Sequence, residues 1–157
     1  MPQFDPFNHF TFLTHRVSRL LDLITAEMLQ RNGFTFPTSC IGILADLYAK
    51  DGVLQKDLGH SIVRNKSTIT KLLDALESNH LIIRQEDDVD KRSKLIYLTE
   101  EGRSVCDKLK EESDFLIDES VLNVSETELI IAKRVLRKQY DNCYSFLEKS
   151  DIEYPSI

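Results

Sequence analysis

Residues 64–71 carry the side chains best suited to chemistry with a polyanion. Three of them are cationic and none is acidic, although the whole chain has a formal net charge of −6: Arg64, Lys66 and Lys71. Three short hydroxyl side chains lie among the cations: Ser67, Thr68 and Thr70. Cations and hydroxyls contact phosphate oxygens, and threonine methyl groups can touch thymine in the major groove. The segment therefore predicts contacts to the phosphates and base edges of double-stranded DNA.

A helix over residues 65–79 would present these side chains on one face. Its apolar residues recur at the spacing of a buried helical stripe: Ile69, Leu72, Leu73 and Leu76. The opposite face is polar and also carries Asp74. Arg64 and Lys66 flank the start of the helix, where free backbone N–H groups also favour phosphate.

A shorter helix is predicted over residues 55–61, with Leu58 directed inward. Two helices joined by a turn form a helix-turn-helix, in which the second helix enters the major groove and the first crosses the DNA backbone. We therefore expect Gln55 and Lys56, at the start of the first helix, to contact phosphates.

A β-hairpin with a charged tip follows, with predicted strands over residues 81–84 and 94–98. A helix-turn-helix followed by such a wing is a device for reading duplex DNA. Four acids make the tip unusually negative: Glu86, Asp87, Asp88 and Asp90. Because phosphates repel carboxylates, the wing is expected to enter the minor groove only to a shallow depth.

Four residues of the wing are candidate contacts. We expect Arg92 to probe the minor groove with Asp90 orienting it, and Lys91 and Lys94 to contact phosphates. Two alternatives remain open. Asp90 and Arg92 could only brace the hairpin, and each single cation could be an ordinary solvated charge.

The segment before the helix-turn-helix predicts two further helices. The first has a long apolar stripe and ends near Asn32 and Gly33, a typical C-cap pair: Phe10, Leu13, Val17, Leu20, Leu21, Ile24 and Met28. Thr35 or Thr38 is expected to cap the second, with Pro37 in its first turn. Its predicted buried face has four members: Ile41, Leu44, Ala45 and Tyr48.

The segment after the wing predicts two long helices. Thr99 caps the first, which begins with two acids and extends to about residue 122. Ser125 and Glu128 match a capping box that opens the last helix. That helix has a continuous apolar edge: Ile131, Val135, Leu136, Tyr140, Tyr144 and Leu147.

These elements predict a mostly α fold with a small β-hairpin wing, in which long N- and C-terminal dimerisation helices flank a winged helix-turn-helix domain. The predicted division is an N-terminal dimerisation helix over 1–34, the DNA-binding domain over 35–99, C-terminal dimerisation helices over 100–150 and a loosely ordered tail over 151–157. A monomer would expose large apolar patches on the long helices. We therefore expect a homodimer, whose two-fold axis spaces two reading helices for a pseudo-palindromic site.

Asp90-Lys-Arg92 lies at the predicted wing tip, and Leu98-Thr-Glu-Glu-Gly102 follows the return strand. With residues 68–77 as recognition helix, these motifs resemble the MarR family of winged helix-turn-helix transcription regulators. The resemblance extends along the whole chain in the order of elements, while its specific motifs occupy the central third. It implies a homodimeric regulator, most simply a repressor, that a small aromatic or phenolic effector releases from its operator.

The chain departs from the family pattern at two positions. His80 stands where a glycine is usual, between the recognition helix and the first wing strand, and Asp88 stands where a proline is common in the wing tip. Asparagine tolerates the left-handed conformation better than most residues. We therefore expect Asn79 to take that conformation and preserve the turn.

No set of residues supports catalysis. The four histidines are scattered, and neither a nucleophile elbow nor a Gly-rich phosphate loop is present. We therefore expect a protein that is not an enzyme and has no cofactor or metal. Three widely spaced cysteines fit neither a disulfide framework nor a zinc site, so they are expected to be small buried hydrophobes, with redox sensing as the alternative.

Neither membrane insertion nor secretion is expected. No apolar run approaches the about 20 residues that span a bilayer. The N-terminus lacks the basic region and apolar core of a secretory signal. The chain is therefore expected to be cytoplasmic.

The acidic net charge argues mildly against DNA binding, but its distribution weakens the objection. Residues 51–103 hold nine basic and ten acidic side chains, so most of the excess negative charge lies in the flanks. The rival hypothesis is a winged-helix module that binds protein without sequence-specific DNA binding, and the acidic wing tip favours it. Salt separates the two hypotheses, because a protein that contacts several phosphates loses affinity steeply as salt rises.

Overall fold

The computed structural model describes residue 5, residues 7–58 and residues 66–149 of the 157. Within this part of the chain the elements follow in this order: α1 (Phe10–Arg31), α2 (Cys40–Ala49), β1 (Val53–Leu54), a 3-10 helix (Gln55–Asp57), α3 (Lys66–Ser78), β2 (Ile82–Glu86), β3 (Lys94–Leu98), α4 (Glu100–Ser120) and α5 (Glu126–Lys149). The predicted mostly helical fold with a small wing is confirmed. The predicted tail over 151–157 lies outside the described residues.

The wing is a three-stranded antiparallel sheet in the order β1-β3-β2. β2 and β3 form the predicted hairpin, with Arg84 opposite Ile96. β1 was not predicted, because a strand of two residues shows no alternation of apolar and polar side chains. It is defined by its pairing with β3, in which Val53 lies opposite Ile96.

The core lies between this sheet and helices α2, α3 and α4. The predicted apolar stripe of α3 is confirmed, since all four members are less than a tenth exposed: Ile69, Leu72, Leu73 and Leu76. Ile82 and Ile96 close the core from the sheet side. Burial of this stripe therefore leaves the opposite, polar face of α3 exposed to solvent.

The predicted start and buried face of α2 are partly wrong. The helix begins at Cys40, and Thr35 donates a hydrogen bond to Asn79 Oδ1 (2.7 Å) instead of capping it. Four residues are buried: Cys40, Ile43, Leu44 and Leu47. Ala45 and Tyr48, which were expected inside, are exposed. The buried stripe is the one that faces α3, α4 and β3, and the packing of these elements is not readable from the α2 segment alone.

The end of α3 differs from the prediction in one residue. His80, and not Asn79, takes the left-handed conformation, with φ 58°. Leu81 N donates to Leu76 O (3.0 Å) and His80 N to Glu77 O (2.9 Å), which is the Schellman pattern. Asn79 instead donates its side-chain amide to Ala75 O (2.8 Å). The turn survives without glycine at a conformational cost of about 1 kcal/mol.

The predicted caps of the two C-terminal helices are confirmed. Thr99 Oγ1 accepts the Gly102 N–H at 2.9 Å and opens α4. Ser125 Oγ accepts the Glu128 N–H (3.3 Å), and Glu128 Oε2 accepts the Ser125 N–H (2.9 Å), as in a capping box. The Ser125 hydroxyl also donates to Glu128 Oε2 (2.5 Å), and this hydrogen bond, followed by that from the Ser125 N–H, lowers the pKa of Glu128.

Helices α1 and α5 leave most of their apolar stripes uncovered in the protomer. Leu29 is buried on α1, whereas the rest of its long stripe is largely exposed: Phe10, Leu13, Val17, Leu20, Leu21 and Ile24. On α5 the exposed apolar side chains include Ile131, Val135, Leu136 and Tyr140. Among the described helices, none is long and apolar enough to cross a bilayer.

Candidate nucleic-acid interface

The polar face of α3 points away from the core. Lys71 and Ser67 are exposed, and Thr68 and Thr70 are half-buried beside them. Lys66 is the first residue of the helix, and Arg64 lies outside the described residues. Lys71 is therefore the described cation of this helix whose side chain is free to approach a duplex from solvent.

The predicted helix over residues 55–61 is described only at its start. Residues Gln55–Asp57 form a 3-10 helix, and residues 59–65 lie outside the described part. Leu58 is buried, as predicted. Gln55 donates a side-chain hydrogen bond to Thr70 Oγ1 (3.4 Å), which ties this segment to the polar face of α3.

A cleft of about 430 Å³ separates the 3-10 helix, α3 and the wing. Three of the predicted cationic contacts, Lys56, Arg92 and Lys94, line it together with Gln55. Its apolar floor is formed by three residues: Leu54, Leu58 and Ile69. The fold thus brings predicted DNA contacts from the 3-10 helix and from the wing to the same cleft.

Asp90 organises the turn of the wing tip. Its carboxylate accepts hydrogen bonds from Ser93 Oγ (2.8 Å) and from the backbone N–H of Arg92 (3.1 Å). The hydrogen bond from Ser93, then that from Arg92, and finally the positive charge of Lys56 lower the pKa of Asp90. Asp90 therefore stays ionised and holds the backbone of the tip.

This geometry corrects the expected role of Asp90. It was expected to orient the Arg92 side chain, but it binds the Arg92 backbone, and the described residues show no ion pair between the two side chains. The bracing alternative describes the contact better. Arg92 is exposed at the tip, where its guanidinium can reach a groove.

The two lysines of the wing are paired with its acids. Lys91 Nζ lies 3.1 Å from Asp88 Oδ1, and Lys94 Nζ lies 3.1 Å from Glu86 Oε1. The side chains of Lys91, Asp88 and Glu86 are largely exposed and that of Lys94 is half-buried, so water and salt reach both pairs and either can open. A phosphate would have to compete with these carboxylates, which weakens Lys91 and Lys94 as contacts.

Arg84 is a residue of this region that sequence reasoning did not select. It lies on β2 with only 18% of its side chain exposed, and it pairs with Asp74 (2.7 Å) and Glu77 on α3. The sequence signal that could have identified it is its place as a single arginine directly after the apolar run 81–83. Its partners could not be identified without the packing of β2 on α3.

The three cysteines do not share one environment. Cys40 and Cys106 are buried, and desolvation raises the pKa of each thiol to about 11, so both resist oxidation. Cys143 is exposed on α5, so the expectation that all three are buried is wrong for this residue. In the described part of the chain no group of metal-ligating side chains is gathered.

Comparisons with known proteins agree on one family. The model of the MarR family matches residues 41–94, from α2 to the start of β3. The uncharacterized HTH-type transcriptional regulator YdgJ of Bacillus subtilis is 30% identical over 104 residues, which cover 66% of this chain and 63% of that protein. The organic hydroperoxide resistance transcriptional regulator of Bacillus subtilis is 29% identical over 101 residues, covering 64% of this chain and 67% of that protein. These relatives are transcriptional regulators and not enzymes.

The similarity to solved structures extends over both flanking regions. The DNA complex of Staphylococcus aureus MepR is 27% identical, with a TM-score of 0.76 over 86% of this chain and 98% of MepR. A MarR protein from Peptoclostridium difficile has a TM-score of 0.83 over 95% of both chains, and at 18% identity it shows the fold. The resemblance carried by the wing and recognition-helix motifs is therefore confirmed. Residues 41–94 thus match the MarR family, and the chain as a whole is similar to winged helix-turn-helix structures of that family.

Proposed function

We propose that this protein is a homodimeric, DNA-binding transcription regulator of the cytoplasm, most simply a repressor. It binds a pseudo-palindromic operator, with α3 of each protomer in successive major grooves and the wings in the flanking minor grooves. One observation carries the proposal. The polar face of α3, with Lys71 exposed, lies beside the Arg92 wing tip in the fold that MepR uses in its DNA complex.

The charges of the described surface support this orientation. Lys56, Lys71 and Arg92 offer cations on the 3-10 helix, the recognition helix and the wing, so three separate elements can contact phosphate. Local charge decides how a surface meets DNA, and the net charge of −6 does not. The four acids of the wing tip limit how deeply the wing enters the minor groove.

Homodimerisation is supported by the uncovered stripes of α1 and α5. An apolar opening between these helices is lined by Phe10, Ile131, Val135 and Leu136. Contiguous apolar surfaces of this kind mark protein interfaces. In the proposed division, α1, α4 and α5 form the dimerisation region, and residues 35–99 form the DNA-binding domain.

Release by a small aromatic or phenolic effector is proposed because the resemblance to the MarR family implies it. A ligand can change DNA affinity only as far as it binds the DNA-competent and the incompetent spacing of the two reading helices differently. The effector is therefore proposed to favour a dimer whose two copies of α3 are wrongly spaced for the operator.

The test is a fluorescence-anisotropy titration with duplexes that the wild-type protein selects from a random pool. The proposal expects affinity for the selected duplex at least about a thousandfold above that for an unrelated one. It also expects log K to fall linearly with log salt. A protein that selects no sequence, or whose affinity ignores salt, is not this kind of regulator.

The second candidate function is a winged-helix module that binds protein. Val89 favours it, because this apolar side chain is 95% exposed at the acidic wing tip. Selection of a sequence in the same titration would decide against this candidate.

The dimer is tested by light scattering. At micromolar concentration the protein is expected to have twice the chain mass of 18.1 kDa. Ile131→Glu introduces a charge into the uncovered stripe of α5 and is expected to yield monomers, since burial of an unpaired charge is costly. Val89→Glu, at the far wing tip, is the matched control and should leave the mass unchanged. A wild-type monomer would rule out the model with two half-sites.

A further inference from the structure

Arg84 joins the first wing strand to the recognition helix. Its Nη2 lies 2.7 Å from Asp74 Oδ1, its Nη1 bonds Glu77 Oε2, and Nη2 also reaches Thr70 O at 3.5 Å. The three acceptors span two turns of one face of α3. The Arg84 side chain is 18% exposed, whereas Asp74 and Glu77 are 58% and 42% exposed.

A guanidinium suits this position better than an ammonium would. Its rigid fork of five N–H donors can satisfy two carboxylates and a carbonyl in one plane, whereas lysine acts as a compact point charge. Low exposure of Arg84 also protects its side of the pairs from screening by salt. The cluster therefore restrains how β2 is oriented against α3.

We propose that Arg84 is a positioning residue for DNA binding, which holds the recognition helix and the wing as one rigid unit through Asp74, Glu77 and the Thr70 carbonyl. Arg84 makes no contact with DNA in this role. The proposed groove contacts lie on two elements, Lys71 on α3 and Arg92 on the wing. The distance between these two side chains must therefore match the distance between the grooves of one duplex. This inference rests on the proposed function.

Charge and positioning predict opposite results for one substitution. Glu77→Gln removes a negative charge near the phosphates, so electrostatics alone predicts tighter DNA binding. It also removes an arm of the Arg84 cluster, so loss of positioning predicts weaker binding to the selected duplex. Arg84→Lys tests positioning without a change of charge, because lysine keeps the positive charge of arginine but lacks its forked guanidinium.

The experiment measures both variants against the duplex selected by the wild type and against an unrelated duplex. Glu77→Gln and Arg84→Lys are each expected to weaken binding to the selected duplex about tenfold, because misplacement of contacts costs specificity. Binding to the unrelated duplex depends on charge and not on register, so it should stay at the wild-type level in Arg84→Lys and equal or exceed that level in Glu77→Gln. Asp88→Asn, which removes one acid from the wing tip, is the matched control and should bind both duplexes as tightly as wild type or more tightly.

Each outcome decides the inference. Tighter binding by Glu77→Gln, or wild-type selectivity in Arg84→Lys, overturns it. An equal loss for both duplexes also overturns it, because that result reports a smaller folded fraction. In Arg84→Gln, which removes the positive charge, a salt slope lowered by about one would identify Arg84 as a phosphate contact instead. If the wild type selects no duplex, the proposed function fails at the first step, before either variant is compared.

Discussion

Lys71→Ala is expected to weaken binding to the selected duplex about tenfold and to lower the salt slope by about one. Lys71 is exposed on the polar face of α3, two residues after the buried Ile69, so its removal leaves the core untouched. Arg92→Ala should also weaken binding, because this guanidinium stands at the wing tip without a side-chain partner among the described residues. Anisotropy titrations at several salt concentrations give both quantities.

The matched control is Lys110→Ala. Lys110 is exposed on α4, outside the cleft and outside the polar face of α3. Its removal changes the net charge by the same amount as removal of Lys71, so a loss specific to Lys71 reports position and not charge. If Lys71→Ala and Arg92→Ala both bind like the wild type, the assignment of these residues is wrong although the family remains.

Gly102→Ala is expected to lower the free energy of unfolding by about 3 kcal/mol, at the upper end of overpacking effects. A Cβ at this position would lie 2.0 Å from Leu81 O and 3.2 Å from Leu98 Cδ2. Leu81 O cannot move away freely, because it accepts the Thr99 N–H at 3.0 Å. The first turn of α4 would therefore have to shift away from the start of the wing.

Urea unfolding followed by circular dichroism measures the change, at one fixed protein concentration because a dimer would make stability depend on it. Ser104→Ala is the control, since Ser104 is exposed two residues further along α4 and alanine favours a helix. A Gly102→Ala protein within about 0.5 kcal/mol of wild type would show that the close approach of α4 to Leu81 is not required.

The motif Leu-Thr-x-x-Gly, which carried part of the family resemblance, acquires a physical reason here. Thr99 caps α4 through the Gly102 N–H, and Gly102 permits the backbone of α4 to touch Leu81. Leu81 also closes the Schellman turn at the end of α3. The motif therefore sets where α4 leaves the wing, and with it the path from the reading domain to the helices proposed to dimerise.

Local patterns predicted the elements whose stabilising contacts lie close in sequence. The stripe of α3, the two strands of the hairpin, the cap at Thr99 and the capping box at Ser125 all depend on residues a few positions apart. Their periodicity and hydrogen bonding are readable without knowledge of the rest of the fold. The buried face of α2 was misjudged because its packing on α3, α4 and β3, which lie further along the chain, decides it.

The sequence by itself predicted the MarR-like central domain, the helix α3 with its exposed Lys71, and the acidic wing tip. It could not show that Asp90 binds the backbone of Arg92, or that Arg84 spans from the wing to Asp74 and Glu77. Arg84 is separated from these partners by ten and seven residues, across a turn whose left-handed residue proved to be His80. Only the packing of β2 on α3 decides which side chains meet there. Hydrophobic burial determines how the two elements are oriented against each other, and polar side chains then pair with the partners that this orientation places within reach.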